Sequence, residues 1–199
     1  MIKTGMIFNM KKVVVYYIDL KDKETDHFLK NKYTDEFLNV KDETKRMQLV
    51  ASFYLKEKYI GDYHLTDNKK PVSDKCYFNV SHTGDYIFLA KSDFKVGIDA
   101  EMIKKRDRNL FDRYCSEKEI ALKEEVFEKI WTSKESLSKC IGTGLARDIK
   151  TIPCHPYDGC KRYEDNFYFS KMFCKDNIVI SVTLLSEEDF IIDFIKEKM

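Results

Sequence analysis

The sequence lacks several features that would assign it to a common class of protein. Its 35 basic and 34 acidic residues leave a formal net charge of +1, which argues against non-specific binding to duplex nucleic acid, since that requires a large positive field. No apolar run approaches the roughly 20 residues of a membrane-spanning helix. Residues 1–17 also lack the uninterrupted apolar region of a signal peptide. These absences predict a cytoplasmic protein that binds neither a membrane nor nucleic acid.

The six cysteines include no Cys-x-x-Cys pair, the spacing typical of zinc and redox sites. A zinc site at Cys154, His155 and Cys160 is an alternative, but its spacing matches no common zinc pattern. Reduced thiols scattered through a cytoplasmic protein are the simpler interpretation.

The apolar content, 43% of 199 residues, is enough for the core of one domain or two small lobes. The predicted strands are residues 13–18, 77–80, 86–90, 96–101, 167–173, 178–185 and 190–195. The predicted helices are residues 34–59, one beginning at the capping box 116–119, and residues 124–141, which end at Gly142 and Gly144. This order favours an α+β fold over a regular β-α-β alternation. We expect residues 62–75 to be a loop and the strands between residues 77 and 101 to form a short meander.

Two acidic residues alternate on the predicted strand that follows this meander's second turn. Asp99 and Glu101 point to one side, because residues i and i+2 of a strand face together, while Ile98 and Ala100 point into the core. Gly97 leaves room for the close approach of backbone or ligand. Adjacent carboxylates repel unless a cation lies between them, and Mg²⁺ is the natural partner of an all-oxygen site. The alternative is an exposed strand end with two ordinary acids.

The last predicted helix places Glu135 and Lys139 four residues apart, with Trp131 one turn earlier. This spacing permits a simple intrahelical ion pair worth a few tenths of a kcal/mol. Glu135 also lies beside the buried face of the helix, where it is equally well placed to add a third oxygen ligand to a metal.

A third candidate segment is residues 78–85, where a strand ends in a turn rich in small polar groups. Backbone amides, the Ser81 hydroxyl and His82 could bind a phosphate. Ser81 and His82 could also be read as nucleophile and base, but neighbouring strand residues point to opposite faces, which makes a direct hydrogen bond awkward. The structural alternative is a hairpin turn in which His82 bonds a backbone carbonyl.

In order and spacing, the three segments resemble the motifs of the Sfp-type 4'-phosphopantetheinyl transferases. That family carries an Asn-x-Ser-His-Ser/Thr-Gly strand and turn, a Gly-Ile/Val-Asp-x-Glu strand and a Trp-x-x-Lys-Glu-Ser/Ala-x-x-Lys helix. The resemblance runs over residues 37–145 and includes Lys70-Pro71, similar to the family's Gly-Lys-Pro, although Lys69 replaces the glycine. It implies an α+β fold of two similar lobes related by a pseudo-two-fold axis, each with helices packed on a small antiparallel sheet. We expect the lobes at residues 1–95 and 96–199.

The resemblance also implies an activity: transfer of 4'-phosphopantetheine from coenzyme A to a serine of an acyl or peptidyl carrier protein, with release of 3',5'-ADP. The implied ligands of Mg²⁺, or Mn²⁺, are Asp99, Glu101 and Glu135. The implied coenzyme A ligands are Lys45, Arg46, Lys70, Ser81, His82 and Lys139. Glu135 is the expected base, directly or through a water, and Lys139 balances charge on the phosphates.

The basic run Lys104–Arg106 with Arg108, flanked by Met102, Ile103, Leu110 and Phe111, is expected to meet an acidic carrier protein. A solvated charged loop is the alternative. We expect a monomer, because a two-lobed chain encloses its own cleft. Two other functions fit the same carboxylates less closely: a metal-dependent nucleotide or diphosphate hydrolase, and a non-catalytic module that binds coenzyme A or a carrier.

Overall fold

The computed structural model describes residues 10–33, 37–67, 70–121, 127–143, 149–154 and 157–199, without the side chains of Tyr33 and Arg108. The strands are β1 (Lys11–Asp19), β2 (His64–Leu65), β3 (Pro71–Val72), β4 (Tyr77–Thr83), β5 (Tyr86–Ser92), β6 (Val96–Met102), β7 (Gly159–Tyr163), β8 (Asn166–Lys175), β9 (Ile178–Leu185) and β10 (Phe190–Lys196). The α-helices are α1 (Lys23–Tyr33), α2 (Glu43–Tyr59), α3 (Arg108–Tyr114), α4 (Glu117–Ile120) and α5 (Phe127–Ile141), and Ile149–Thr151 form a 3-10 turn.

In the described part of the chain, the strands form two four-stranded sheets and one short hairpin. The strand order is β10-β1-β5-β4 in the first sheet and β6-β9-β8-β7 in the second, while β2 pairs with β3. Helix α2 packs on the first sheet and α5 packs on β6 and β9 of the second. The α+β class and the packing of helices on small sheets are therefore confirmed.

A hydrophobic core lies between the two sheets, with Val15 and Phe88 on one side and Ile98 and Val182 on the other. A second core lies between the first sheet and the helices α1 and α2. Two smaller clusters surround α5. Each sheet is thus covered by a helix on one face and by the other sheet on the opposite face.

All seven predicted strands are confirmed. They could be predicted because each shows a β-branched, aromatic or alternating pattern. Strand β7 and helices α1 and α3 were not predicted. The apolar residues of α1 are few: Phe28, Leu29 and Tyr33 give a single pair four residues apart, which is too little to show a helical period. The predicted helix 34–59 starts too early: residues 37–42 are not α-helical, and Asp42 caps α2 by accepting a hydrogen bond of 2.8 Å from the Lys45 amide.

Two further details of the prediction are wrong. The region 62–75 is not all loop, since β2 and β3 pair within it. The strands between residues 77 and 101 do not form a meander, because β6 pairs with β9 and not with β5. In addition, β10 lies parallel to β1, so the first sheet is not wholly antiparallel.

The predicted end of the last helix at Gly142 is confirmed by its positive φ of 91°. Its predicted start at residue 124, and Gly144, lie outside the described residues. Among the described helices, none is long and apolar enough to span a membrane.

Candidate active site

Strand β6 and helix α5 bring the predicted acidic residues to one cleft. This cleft of about 400 Å³ is lined by Val80, Ser81, His82, Asp99, Ala100, Glu101, Trp131, Glu135 and Lys139. Ile98 and Ala100 belong to the core between the sheets, whereas Asp99 and Glu101 reach the cleft, as the alternation of strand residues predicts. Glu135 faces them from α5.

Gly97 allows α5 to approach β6 closely. A Cβ atom at this position would overlap the carbonyl oxygen of Ser136 and lie 2.5 Å from the amide nitrogen of Cys140. The Ser136 hydroxyl in turn shares hydrogen bonds of 2.9 and 2.8 Å with the hydroxyls of Ser181 and Thr183 on β9. The space that the glycine was predicted to leave is therefore filled by the backbone of α5.

Lys139 joins the helix to the strand. Its ammonium group lies 2.7 Å from Asp99 Oδ1 and donates to the Ile98 carbonyl at 3.2 Å and to Ser81 Oγ at 3.3 Å. The ion pair of Lys139 is thus with Asp99 on the neighbouring strand, and not the intrahelical pair with Glu135 that the spacing permits. This contact places a positive charge beside Asp99, in the cleft that Glu101 and Glu135 also line.

Three polar side chains of β4 replace a backbone ladder between β4 and β6. The hydrogen bonds run from Ile98 N to Asn79 Oδ1 (3.1 Å), from Ala100 N to Ser81 Oγ (3.2 Å) and from Met102 N to Thr83 Oγ1 (3.1 Å). Sequence reasoning missed this function of Asn79 and Thr83. The sequence did contain a signal: Asn79, Ser81 and Thr83 are polar residues at every second position of one strand, so they share one face of it.

Ser81 also sets the orientation of a site carboxylate. Its hydroxyl donates to Asp99 Oδ1 at 3.0 Å while it accepts from the Ala100 amide. A hydroxyl group has one proton and two lone pairs, so the Asp99, Ala100 and Lys139 contacts use its whole capacity. In this geometry Ser81 holds Asp99 in place.

Of the other predicted coenzyme A ligands, not all line the cleft. His82 lies in the cleft wall, and its pKa is lowered by partial loss of solvent and by the positive charge of Lys139. Lys45 is exposed on the first turn of α2. Arg46 donates to the Val40 carbonyl at 3.4 Å, and its buried Nε has no partner among the described residues.

Lys70 lies outside the acidic cleft. Its ammonium donates to the Lys139 carbonyl at 2.8 Å, in the last turn of α5. It lines a separate cavity with Pro71 and Cys140, and burial lowers its pKa. Here Lys70 satisfies a helix-end carbonyl.

The electrostatics of the cleft are set first by loss of solvent and then by mutual repulsion of the carboxylates. Loss of solvent and then the negative charge of Asp99 raise the pKa of Glu135 to about 7. The same two causes, in the same order, raise the pKa of Glu101. The cleft therefore carries more negative charge than Lys139 alone neutralises.

In the described segments, no three His, Cys, Asp or Glu side chains lie close enough together to hold a metal ion as they stand, but the chemistry of the cleft residues suits a hard divalent cation. Asp99 Oδ2 is buried and has no hydrogen-bond partner among the described residues. A buried carboxylate oxygen without a partner is costly. Glu101 and Glu135 line the same cleft, and carboxylate oxygens are the kind of donor that Mg²⁺ and Mn²⁺ accept.

Lys134, next to Glu135, is a residue to which the sequence assigned no function. It is fully buried, and its ammonium donates to Glu119 Oε2 (2.7 Å), Ile149 O (3.0 Å) and Tyr114 O (3.2 Å). These contacts tie α5 to the end of α3, to α4 and to the 3-10 turn. Lys134 therefore anchors the helix on the side opposite the cleft.

Lys161 is a second buried lysine near α5, and we expect it to make the stability of the protein depend on pH. Lys161 donates to Ser133 Oγ at 2.6 Å, and burial lowers its pKa to about 8 although Cys154 and Glu119 oppose the shift. Between about pH 8 and 10.5 the unfolded chain binds this proton and the folded chain does not, so stability contributed by this group rises with pH. The full effect is at most about 3 kcal/mol.

The expected result is that the stability of the protein that retains Lys161 rises relative to that of Lys161→Met over this pH range. Denaturant unfolding of both proteins at several pH values measures the difference, which cancels the titration of groups that Lys161 does not influence; both proteins carry Cys154→Ala, because the charge of Lys161 opposes the rise that burial causes in the pKa of Cys154. Parallel pH profiles would contradict the assignment of a lowered pKa to Lys161.

Comparison with known proteins agrees with this geometry. A profile described as the 4'-phosphopantetheinyl transferase superfamily matches residues 95–194, half of the chain. The 4'-phosphopantetheinyl transferase psf-1 of Bacillus pumilus is 34% identical over 96 residues, 43% of this chain and 41% of that protein. The 4'-phosphopantetheinyl transferase gsp of Aneurinibacillus migulanus is 29% identical over 132 residues, 58% of this chain and 56% of that protein. The chain thus spans about half the length of the curated relatives it matches. The matched region contains β6, α5 and the whole acidic cluster, and the chain belongs to the 4'-phosphopantetheinyl transferase superfamily.

Proposed function

We propose that this protein transfers the 4'-phosphopantetheine group of coenzyme A to a serine of an apo carrier protein and releases 3',5'-ADP. The observation that carries the proposal is the juxtaposition of Asp99, Glu101, Glu135 and Lys139 in one cleft, within the region that matches the family. An oxygen donor set with an adjacent lysine suits a diphosphate bound with a divalent cation.

The proposed reaction forms one bond and breaks one. The serine Oγ attacks the phosphorus next to the pantetheine, the bond from that phosphorus to the oxygen bridging to 3',5'-ADP breaks, and the serine proton passes to Glu135, directly or through a water. Its half-buried carboxylate faces the cleft from α5, where it is placed to accept a proton.

Asp99, Glu101 and Glu135 would hold Mg²⁺, with Mn²⁺ as an alternative. When bound, the cation would neutralise negative charge on the diphosphate. Lys139 is already held at the inner end of the cleft by Asp99 and Ser81, so its charge can be directed at a phosphate without rearrangement of the helix.

We propose that the nucleotide lies along the rim formed by β4 and the first turn of α2. His82 and Lys45 present the polar groups there, and a change of rotamer would bring the buried, unpartnered Arg46 Nε to a phosphate or ribose oxygen. Ser81 would bind a phosphate oxygen by redirecting its hydroxyl proton from Asp99, because its present contacts use the whole capacity of the hydroxyl. Lys70 would join these ligands from the far end of α5, where it now bonds the Lys139 carbonyl.

The carrier protein would meet the loop after β6. Lys104 and Lys105 are exposed, and Ile103 adds exposed apolar surface, which suits an acidic helical partner. Phe111 is buried and is unavailable for this contact. We further propose a monomeric, cytoplasmic enzyme with lobes at residues 1–95 and 96–199, in which β10 completes the first sheet.

The test is to incubate the protein with coenzyme A, Mg²⁺ and a panel of apo acyl and peptidyl carrier proteins. The expected result is one carrier gaining the mass of phosphopantetheine, together with an equal amount of 3',5'-ADP. Release of 3',5'-ADP without any carrier would instead support a hydrolase. Binding of coenzyme A with neither product across the whole panel would support a non-catalytic module.

A further inference from the structure

We propose that Arg106 is a positioning residue of the acidic cleft: held by Glu128, it orients the Glu101 carboxylate for the divalent cation. This inference rests on the function proposed above, because it requires Glu101 to be a metal ligand. The sequence suggested only a surface function for the loop that carries Arg106.

The guanidinium of Arg106 lies between two carboxylates of different kinds. Its Nε donates to Glu128 Oε1 at 2.8 Å, and its Nη2 lies 3.6 Å from Glu101 Oε2. Glu128 is only 3% exposed, so it forms a fixed anchor, whereas Glu101 is 32% exposed and faces the cleft. Arg106 therefore connects the buried carboxylate of Glu128 to the cleft carboxylate of Glu101.

The loop around Arg106 is fixed at both ends. At its start, the Ile103 amide donates to the Asn177 carbonyl at 2.8 Å, and Asn177 Nδ2 donates back to the Ile103 carbonyl at 3.0 Å. One residue later, the Lys104 amide donates to Glu128 Oε1 at 3.2 Å. Asp107 then caps α3 through the Asn109 amide at 3.0 Å. The arginine is thus presented by a rigid loop.

The guanidinium plane is restricted as well. Its central carbon lies 5.7 Å from the centre of the buried Phe127 ring, a distance at which a cation and an aromatic face attract. With one N–H group engaged by Glu128 and one face against Phe127, the fork has little freedom to turn. At 3.6 Å the contact with Glu101 is an ion pair and not a hydrogen bond, so the guanidinium fork acts on the Glu101 carboxylate as a positive charge held at a fixed position, which a flexible lysine could not maintain.

A positive charge beside a metal ligand has two opposed effects. Repulsion between Arg106 and the cation would weaken metal binding, while orientation of Glu101 would strengthen it. Partners that orient metal ligands typically change metal affinity by about 10- to 100-fold when removed. The geometry favours orientation, because the charge of Arg106 is already balanced by the buried Glu128.

The test measures Mn²⁺ binding directly by the electron paramagnetic resonance signal of free Mn²⁺, with and without coenzyme A. Arg106→Lys keeps the charge but loses the fork, and we expect about tenfold weaker Mn²⁺ binding. The double variant Arg106→Gln with Glu128→Gln leaves no unpaired buried charge, and we expect a similar loss. Lys105→Gln, which removes a neighbouring exposed charge, should bind Mn²⁺ as the wild type does. Melting temperatures establish that each variant is folded.

Two results would overturn the inference: unchanged Mn²⁺ affinity in Arg106→Lys, or tighter binding in the double variant, as simple charge repulsion requires. Asp99→Asn separates this failure from that of the proposed function. Loss of Mn²⁺ binding in Asp99→Asn with unchanged binding in Arg106→Lys would reject only the function of Arg106. Wild-type binding in Asp99→Asn, or no binding by the wild type, would reject the metal site and this inference with it.

Discussion

Glu135→Gln is expected to lower the rate of phosphopantetheine transfer by about a thousandfold or more while the protein remains folded. The amide has nearly the same shape but cannot accept the serine proton, and removal of a general base alone costs roughly 10²- to 10⁴-fold. It is also a poorer ligand for a hard cation than a carboxylate. Two losses at one position make this the largest expected effect on activity.

The same substitution is not expected to destabilise the protein in the absence of metal. Glu135 is partly buried beside Asp99, whose negative charge opposes the ionised form of Glu135. A neutral side chain of the same size removes this repulsion, so the melting temperature in a chelator should be equal or higher. Single-turnover transfer and thermal melting, measured on the same samples, separate the two effects.

The matched control is Glu117→Gln, which makes the same chemical change at an exposed position on α4. It should leave transfer and melting unchanged. Transfer by Glu135→Gln within about tenfold of the wild type would remove Glu135 from both functions, since neither loss alone would be that small.

The faces of the strands could be predicted from the sequence, whereas their partners could not. Alternation of apolar and polar residues shows that Asp99 and Glu101 leave the core on the same side. It does not say that β6 pairs with β9 and not with β5. That choice depends on contacts between segments some 80 residues apart, such as Glu101 opposite Val179. The pairing of β10 with β1 spans most of the chain and has the same cause.

The candidate site shows the same division. The sequence spacing of the three carboxylates and Lys139 suggests a site. The residues that hold these side chains in place have no such spacing. Ser81 orients Asp99 through a side chain that takes the place of a backbone ladder. Glu128 anchors a loop 22 residues earlier in the chain. A single buried carboxylate on a helix carries no local pattern that reveals such a partner.

Gly97→Ala is expected to be the most destabilising single-methyl change in the acidic cleft. The new Cβ would overlap the Ser136 carbonyl and crowd the Cys140 amide, and both are backbone atoms of a helix that cannot turn aside as a side chain could. Overpacking of this kind costs about 3 kcal/mol, or more where backbone must move. For a chain of this size that corresponds to a fall in melting temperature of roughly 10 °C.

The loss should extend to activity even where the variant folds. To admit the methyl group, α5 must move away from β6, which separates Glu135 and Lys139 from Asp99. Displacement of the reacting groups by about 1 Å can cost roughly 100-fold in rate. The folded fraction of Gly97→Ala should therefore be much less active per molecule than the wild type.

Gly159→Ala provides the control, since a Cβ there would meet no atom within 4 Å. It adds the same methyl group and the same restriction of the unfolded chain, at the start of β7. We expect its melting temperature and transfer rate to match those of the wild type. If Gly97→Ala behaved in the same way, α5 could not lie against β6 as closely as the structure has it, and the four cleft residues would not share a site.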